Sequence, residues 1–349
     1  MDPVVEASAR QAEQRSGEGE RSPRPSPDRS AFVHGAALVH SPGEAVGVAA
    51  AYVDEGLRAG DLPVLACAPE TVEAIRRALG LRAREVEDDA RICLVGARAP
   101  DAMAVIRQRV ERAATRGSGR LRILAEPVFG SDPRRWREVR RYEAASNALV
   151  SGAPLSCLCV YDRERSPAEV LATARHTHPE LWMGGVRVRN SEYREPVGVL
   201  RDLGAAREPV EAGEPVFAVD AAPALAGLRG GLRRALEAVV PDADQRADLH
   251  LGMSEVAANA FRHGRRPVSA RVWADRSTVV CTISDSGTTF ADPLAGFLPA
   301  HGDDLSAGGM GLWLARKLWD DVDLVSGPEG FTVRLASGLV RPGEGLGAA

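Results

Sequence analysis

Glu255, Asn259 and Arg262 recur at intervals of four and three residues in SEVAANAFRHG, a spacing that sets all three on one face of a helix. Leu249, Met253, Val256 and Ala260 form the adjacent apolar stripe, so the same helix would be both wall and tool. A carboxylate one turn from an amide oxygen suits the joint holding of Mg²⁺ and a reacting hydroxyl. A solvated polar stripe would show the same spacing. In TVVCTISDSG, Val279, Cys281 and Ile283 alternate onto one strand face, and Asp285 continues it. A carboxylate closing an apolar face requires a donor, because an unpaired buried charge is costly, and the exocyclic amine of adenine is such a donor. Gly287 leaves room for a base to approach the backbone, although Asp-Ser-Gly is equally an ordinary turn. Gly308, Gly309 and Gly311 then precede the apolar helical repeat of GLWLARKL, so bare backbone amides at a helix start could hold phosphates. The connection between Phe290 and Ala307 is long enough to be a mobile lid. A flexible loop with a glycine hinge would read the same way.

These residues must be positioned by helices that precede and separate hairpin-connected strands. The pattern predicts helices over 222–240 and 242–263, strands over 268–274 and 278–285, a helix over 311–318, and strands over 322–326 and 331–335. Such an order predicts a two-layer α/β sandwich. The preceding half reads differently. AALVH, LPVLACA, RICLVG, LRILAE and LSCLCVYD are continuously apolar and alternate with amphipathic stretches, which predicts a doubly wound three-layer sandwich around a parallel sheet. The expected organisation is a disordered tail over 1–31, an α/β domain over 32–193, a linker over 194–215 with Glu-Pro and Gly breaks, a second domain over 216–337, and a loose Gly-rich tail over 338–349.

At 349 residues and 44% hydrophobic, the chain exceeds one compact core. A net charge of -4 argues against holding nucleic acid or anionic lipid by bulk electrostatics. No signal peptide or bilayer-length apolar run is legible, which predicts a soluble cytoplasmic protein with no membrane partner. Five scattered cysteines, Cys67, Cys93, Cys157, Cys159 and Cys281, read as buried free thiols, and His176 and His178 as structural histidines.

The three C-terminal motifs, in this order, resemble the ATP-binding fold shared by gyrase, heat-shock chaperone ATPases, histidine kinases and mismatch-repair ATPases (GHKL). More narrowly, SEVAANAFRHG, DSG and GGMGLWLARKL resemble the anti-sigma-factor serine/threonine kinases of the RsbW type over about Val216 to Leu335. The resemblance implies Glu255 as general base for a protein hydroxyl, Asn259 as Mg²⁺ ligand, Asp285 as adenine reader, and Gly309 with Gly311 as phosphate loop. It also implies Thr332 near adenine and Arg262 at the phosphates. Where many relatives carry a second glycine after Asp-x-Gly, this chain has Thr289. Lys317 is the only lysine, so a Walker lysine and a protein-kinase strand lysine are both excluded. Residues 32–193 resemble the DcmR-type sensory domain (MEDS) through FVHGAALVHSPGE, CVYD and ATARHTHPELW; relatives often show Cys-Pro-Tyr-Asp where this chain has Cys159 to Asp162. This resemblance implies sensing of a small organic ligand. Glu126, Tyr161 and Asp162, at strand ends, are the candidates to meet it, or simply cap the strands. The combined expectation is a cytoplasmic regulator in which a sensor controls an ATP- and Mg²⁺-dependent kinase. Its implied partners are an anti-anti-sigma (STAS-type) protein and a sigma factor. A non-catalytic ATP-binding module and a sensor histidine kinase are the alternatives.

Overall fold

The computed structural model describes residues 32–183, 186–288, 290, 292–300 and 310–340. Both expected tails lie outside them, apart from residues 338–340, of which Gly338 still belongs to the last strand. In the first half, β1 (Val33–Val39), β2 (Leu62–Ala66), β3 (Glu87–Asp88), β4 (Leu121–Ala125), β5 (Leu155–Asp162), β6 (Glu180–Met183) and β7 (Val186–Arg189) form one sheet, order β3-β2-β4-β5-β1-β6-β7. Every pairing is parallel except β6 with β7. The continuous hydrophobicity of these strands has a direct cause, because alternate residues serve two cores. Ala37, Val39, Leu65, Leu124 and Leu158 pack under α1 (Pro42–Ala59) and α2 (Pro69–Leu79). Ala36, Leu38, Val64, Ile123 and Cys159 pack under α3 (Ala99–Ala114), α4 (Pro133–Leu149) and α5 (Ala168–Thr177). The result is the doubly wound three-layer sandwich.

RICLVG is not the expected strand. Asp89 caps a short 3₁₀ turn over Ala90–Cys93, which Leu94 closes with a left-handed φ of 61°. The segment expected as a linker is packed as well: α6 (Pro196–Ala205) buries Val199 and Leu203 against Ala144 of α4.

The second half holds a five-stranded sheet of order β11-β12-β10-β9-β8, antiparallel throughout. Its strands are β8 (Phe217–Val219), β9 (Val268–Ala274), β10 (Thr278–Asp285), β11 (Asp321–Gly327) and β12 (Gly330–Gly338). On one face, α7 (Leu225–Val239), α8 (Ala243–His263) and α9 (Gly311–Leu318) close the core around Leu232, Met253, Ile283, Trp319 and Leu335. This is the expected two-layer α/β sandwich.

The other sheet face meets the first half of the chain through a buried ionic seam. Arg141 of α4, 2% exposed, reaches Asp321 and Asp323 of β11 at 2.6 Å each and Glu138 at 2.6 Å. Arg334 of β12 also holds Asp323, at 2.7 Å, and Arg137 pairs with Glu208. Burial works on the two aspartates, but the arginines decide differently at each. Asp323 is held below the ordinary carboxylate range by Arg141 and Arg334, which outweigh its burial. Asp321, one of whose oxygens is buried without a partner, is pushed up to about 6 by burial. A second link runs through the loop after β10, where Phe297 is fully buried in the core of the first half, under the guanidinium of Arg316 at 4.1 Å. The described part of the expected lid is therefore anchored rather than free.

Candidate functional site

Helix α8 begins at Asp242, whose side chain accepts from the Gln245 amide at 2.7 Å, and runs unbroken to His263. Its Leu249–Met253–Val256–Ala260 stripe is buried as the spacing predicts, which turns Asn259 toward a cavity of about 450 Å³. That volume suits a nucleotide-sized ligand. Around it stand Asn259 and His263 of α8, Gly264 and Arg265 just beyond, Asp285, Gly287 and Thr288 at the end of β10, Leu312 of α9, and Phe331 and Val333 of β12.

Asp285 is 8% exposed and is held by two backbone donors: its Oδ1 accepts from Arg265 N at 3.0 Å and from Gly287 N at 2.8 Å. Among the described residues no hydrogen bond reaches its Oδ2, which leaves a carboxylate oxygen available to a ligand amine. Side chains are excluded around it. A Cβ on Gly287 would lie 2.7 Å from Asp285 Oδ1, and one on Gly264 only 2.6 Å from Oδ2. Gly311 opens α9 directly against Asn259, where a Cβ would stand 2.6 Å from Nδ2. Among the described residues no side chain caps α9, whose first amides lie beside the Asn259 amide as a helix start that could bind an anion. The lining therefore suits a nucleotide-sized ligand, with the free Oδ2 of Asp285 at one part of the cavity and the Asn259 amide beside the start of α9 at another.

Other expected residues fall elsewhere. Glu255 stands one turn before Asn259 but does not line the cavity; it is half-exposed and 3.7 Å from Arg229 of α7. Arg262 is exposed, and its neighbour His263 lines the cavity instead. Thr332 is the clearest departure. Strand alternation sends its hydroxyl to the opposite sheet face, where it bonds Ser284 at 2.7 Å, while Phe331 and Val333 face the cavity. Gly308, Gly309 and Thr289 lie outside the described residues. Sequence reasoning missed His263, Gly264 and Arg265. The signal was present in FRHG, since a Cβ on Gly264 would lie 2.5 Å from the Ala260 carbonyl oxygen and 2.6 Å from Asp285 Oδ2, so only glycine fits where the next amide meets Asp285.

The sensory half carries a second cavity, of about 280 Å³, at the carboxyl ends of β1, β2, β4 and β5. Glu126 and Asp162 line it while also capping: Glu126 accepts from Ala68 N, and Asp162 from the amides of Glu164 and Arg165. Tyr161 does not join them. It is buried on the other sheet face, edge-on to His178 at 5.6 Å. Among the described residues no helix is long and apolar enough to cross a membrane.

Comparison with known proteins agrees with this division. Residues 33–179 match the model of the methanogen/methylotroph, DcmR sensory domain (MEDS), and residues 217–337 that of the histidine kinase-like ATPase domain. The chain thus joins a segment similar to one sensory-domain family to a segment similar to the histidine kinase-like ATPase domains. More particularly, it is 34% identical over 109 residues to the serine-protein kinase RsbW of Bacillus velezensis, an alignment covering 28% of this chain and 66% of that relative. Among solved structures, the RsbU and RsbW domains of Rv1364c from Mycobacterium tuberculosis align at 22% identity and a TM-score of 0.27, over 37% of this chain and 34% of that one.

Proposed function

We propose that the chain is a cytoplasmic, ATP- and Mg²⁺-dependent serine/threonine kinase and anti-sigma factor, whose sensory domain controls phosphorylation of an anti-anti-sigma (STAS-type) protein. One observation carries the reading. Asn259, Asp285, Gly287 and Gly311, drawn from three separate motifs, converge around one nucleotide-sized cavity with no lysine among its lining residues. The kinship with the serine-protein kinase RsbW supports the choice of substrate and partners.

The residues divide the work as follows. Asp285 accepts the amine of the base, and the Gly287 amide holds that carboxylate in place. Asn259 orients Mg²⁺, which when bound neutralises phosphate charge. Glu255, one helical turn from Asn259, takes the proton of an incoming protein hydroxyl. A specific observation favours a second reading: Glu255 faces Arg229 rather than the cavity, as in a module that binds nucleotide and partner without transfer. Incubating the full chain with γ-labelled ATP and each candidate STAS-type protein of the same genome separates the two. Acid-stable label on the partner is expected. Nucleotide-dependent binding without label selects the second reading, and acid-labile label on the chain itself would show a histidine kinase.

A further inference from the structure

Deep in the sensory domain, far in sequence from the nucleotide cavity, four side chains from four elements converge: His34 of β1, Glu143 of α4, Cys159 of β5 and His178 just after α5. Their ligand atoms all lie within 4.8 Å of one another, and all four residues are buried. Glu143 Oε2 is 3.4 Å from His34 Nε2 and 3.5 Å from His178 Nε2. Cys159 Sγ is 3.5 Å from His34 Nε2 and 4.0 Å from Glu143 Oε1. A tetrahedral ion with bonds of about 2.0–2.3 Å holds its ligand atoms roughly 3.3–3.8 Å apart, so the spacing is already close to a coordination shell.

The tautomers sharpen this. Asn147 donates through Nδ2 to the carbonyls of Glu143 at 3.0 Å and Thr177 at 2.7 Å, which fixes its Oδ1 as the acceptor 3.1 Å from His34 Nδ1. His178 Nδ1 lies 2.9 Å from the carbonyl of Ala174. Each ring thus carries a proton on Nδ1, outward, and turns its Nε2 inward toward the cluster, the arrangement by which outer-shell partners orient metal-binding histidines. His178 Nε2 is buried with no hydrogen-bond partner. A void of about 30 Å³ adjoins His34, Glu143 and Cys159.

From this convergence of acceptors we propose that His34, Glu143, Cys159 and His178 form a binding site for one divalent transition-metal ion, Zn²⁺ being the ion best suited to two imidazoles, a thiolate and a carboxylate in tetrahedral array. On binding, the Cys159 thiol releases its proton to solvent. The ion's two positive charges then meet one thiolate and one carboxylate, so the site is neutral in a dry core. Neither rival occupant does as well. A water could donate to only two of the inward acceptors, and a proton on His34 Nε2 would leave His178 Nε2 unpaired.

The test uses the full chain, expressed without an affinity tag that binds metal and dialysed against metal-free buffer, with metal content read by mass spectrometry. About one Zn²⁺ per chain is expected, and Co²⁺ reconstitution should give tetrahedral visible bands with a thiolate charge-transfer band. Cys159→Ser should abolish the charge-transfer band and His178→Ala the stoichiometric uptake, whereas Cys157→Ser, whose Sγ lies 3.8 Å from Cys159 Sγ and outside the set, should keep both. Should His178→Ala fail to fold, the loss of the charge-transfer band in folded Cys159→Ser decides the matter. A folded wild-type chain taking up less than about a tenth of an equivalent, or a Cys159→Ser protein with an unchanged Co²⁺ spectrum, overturns the proposal.

Discussion

Replacing Asp285 by asparagine changes few atoms and should invert the polarity of the base pocket. The amides of Arg265 and Gly287 both point at Oδ1, so the new side chain must place its carbonyl oxygen there and its NH₂ at the former Oδ2 position. Folding then loses only the charge on an acceptor that keeps both bonds, about 1 kcal/mol. The nucleotide loses more. A charge-assisted bond to the adenine amine is replaced by two donors facing one another at a residue 8% exposed, worth about 3–4 kcal/mol, or roughly 10²–10³-fold in Kd. Titration calorimetry with Mg-ATP should record that loss, with the melting temperature shifted by only a few degrees. Nucleotides with a carbonyl at the position of the amine, such as ITP, should lose much less, because the new NH₂ can donate to it. An Asp285→Asn protein that is folded and binds ATP within about threefold of the wild type would refute the assignment of Asp285 to the base.

Glu255→Gln should leave the Kd for ATP unchanged and slow transfer to a STAS-type partner by about 10²–10⁴-fold, read from the initial rate of labelling; an unchanged rate removes Glu255 from the base role. Arg141→Met should destabilise the chain by about 3–5 kcal/mol in urea unfolding, since Asp321 and Asp323 would stay buried without their shared guanidinium; adding Asp321→Asn and Asp323→Asn should recover much of it. The seam also has a pH signature. Asp321, raised to about 6, binds its proton more tightly folded than unfolded, so its contribution is complete below the ordinary value of 3.8 and is lost as pH rises through about 6. Comparing wild type with Asp321→Asn by thermal melts between about pH 5 and pH 7 should show the wild type losing stability faster as pH rises, and parallel curves would contradict that pKa.

Much of the second half is legible because its elements are long and strictly periodic: the apolar stripe of α8 and the alternation of β10 fix which faces pack into the core, although of the polar α8 stripe only Asn259 lines the cavity. Thr332 is misplaced for want of one residue of parity, since Phe331 and not Thr332 shares a sheet face with Asp285. RICLVG misleads because a short 3₁₀ turn buries Ile92, Cys93 and Leu94 as fully as a strand would. The Glu-Pro breaks suggest a linker, yet proline that stops one element also starts another, and Pro196 is the first residue of α6. The cluster around Glu143 is not legible at all. Its members come from four elements, and nothing in the spacing of His34, Glu143, Cys159 and His178 announces that a sheet crossover will gather them.

Helix α4 grips at both sides. Arg137 and Arg141, one turn apart, hold the second-half sheet, while Glu143 and Asn147, also one turn apart, belong to the histidine cluster about 120° around the axis. Seventeen residues thus act as a single tie-rod between the two domains. A rod under two loads conveys them in both directions: any free energy by which cluster occupancy favours one seating of β11 returns, equal in size, as a change in cluster affinity when β11 is reseated.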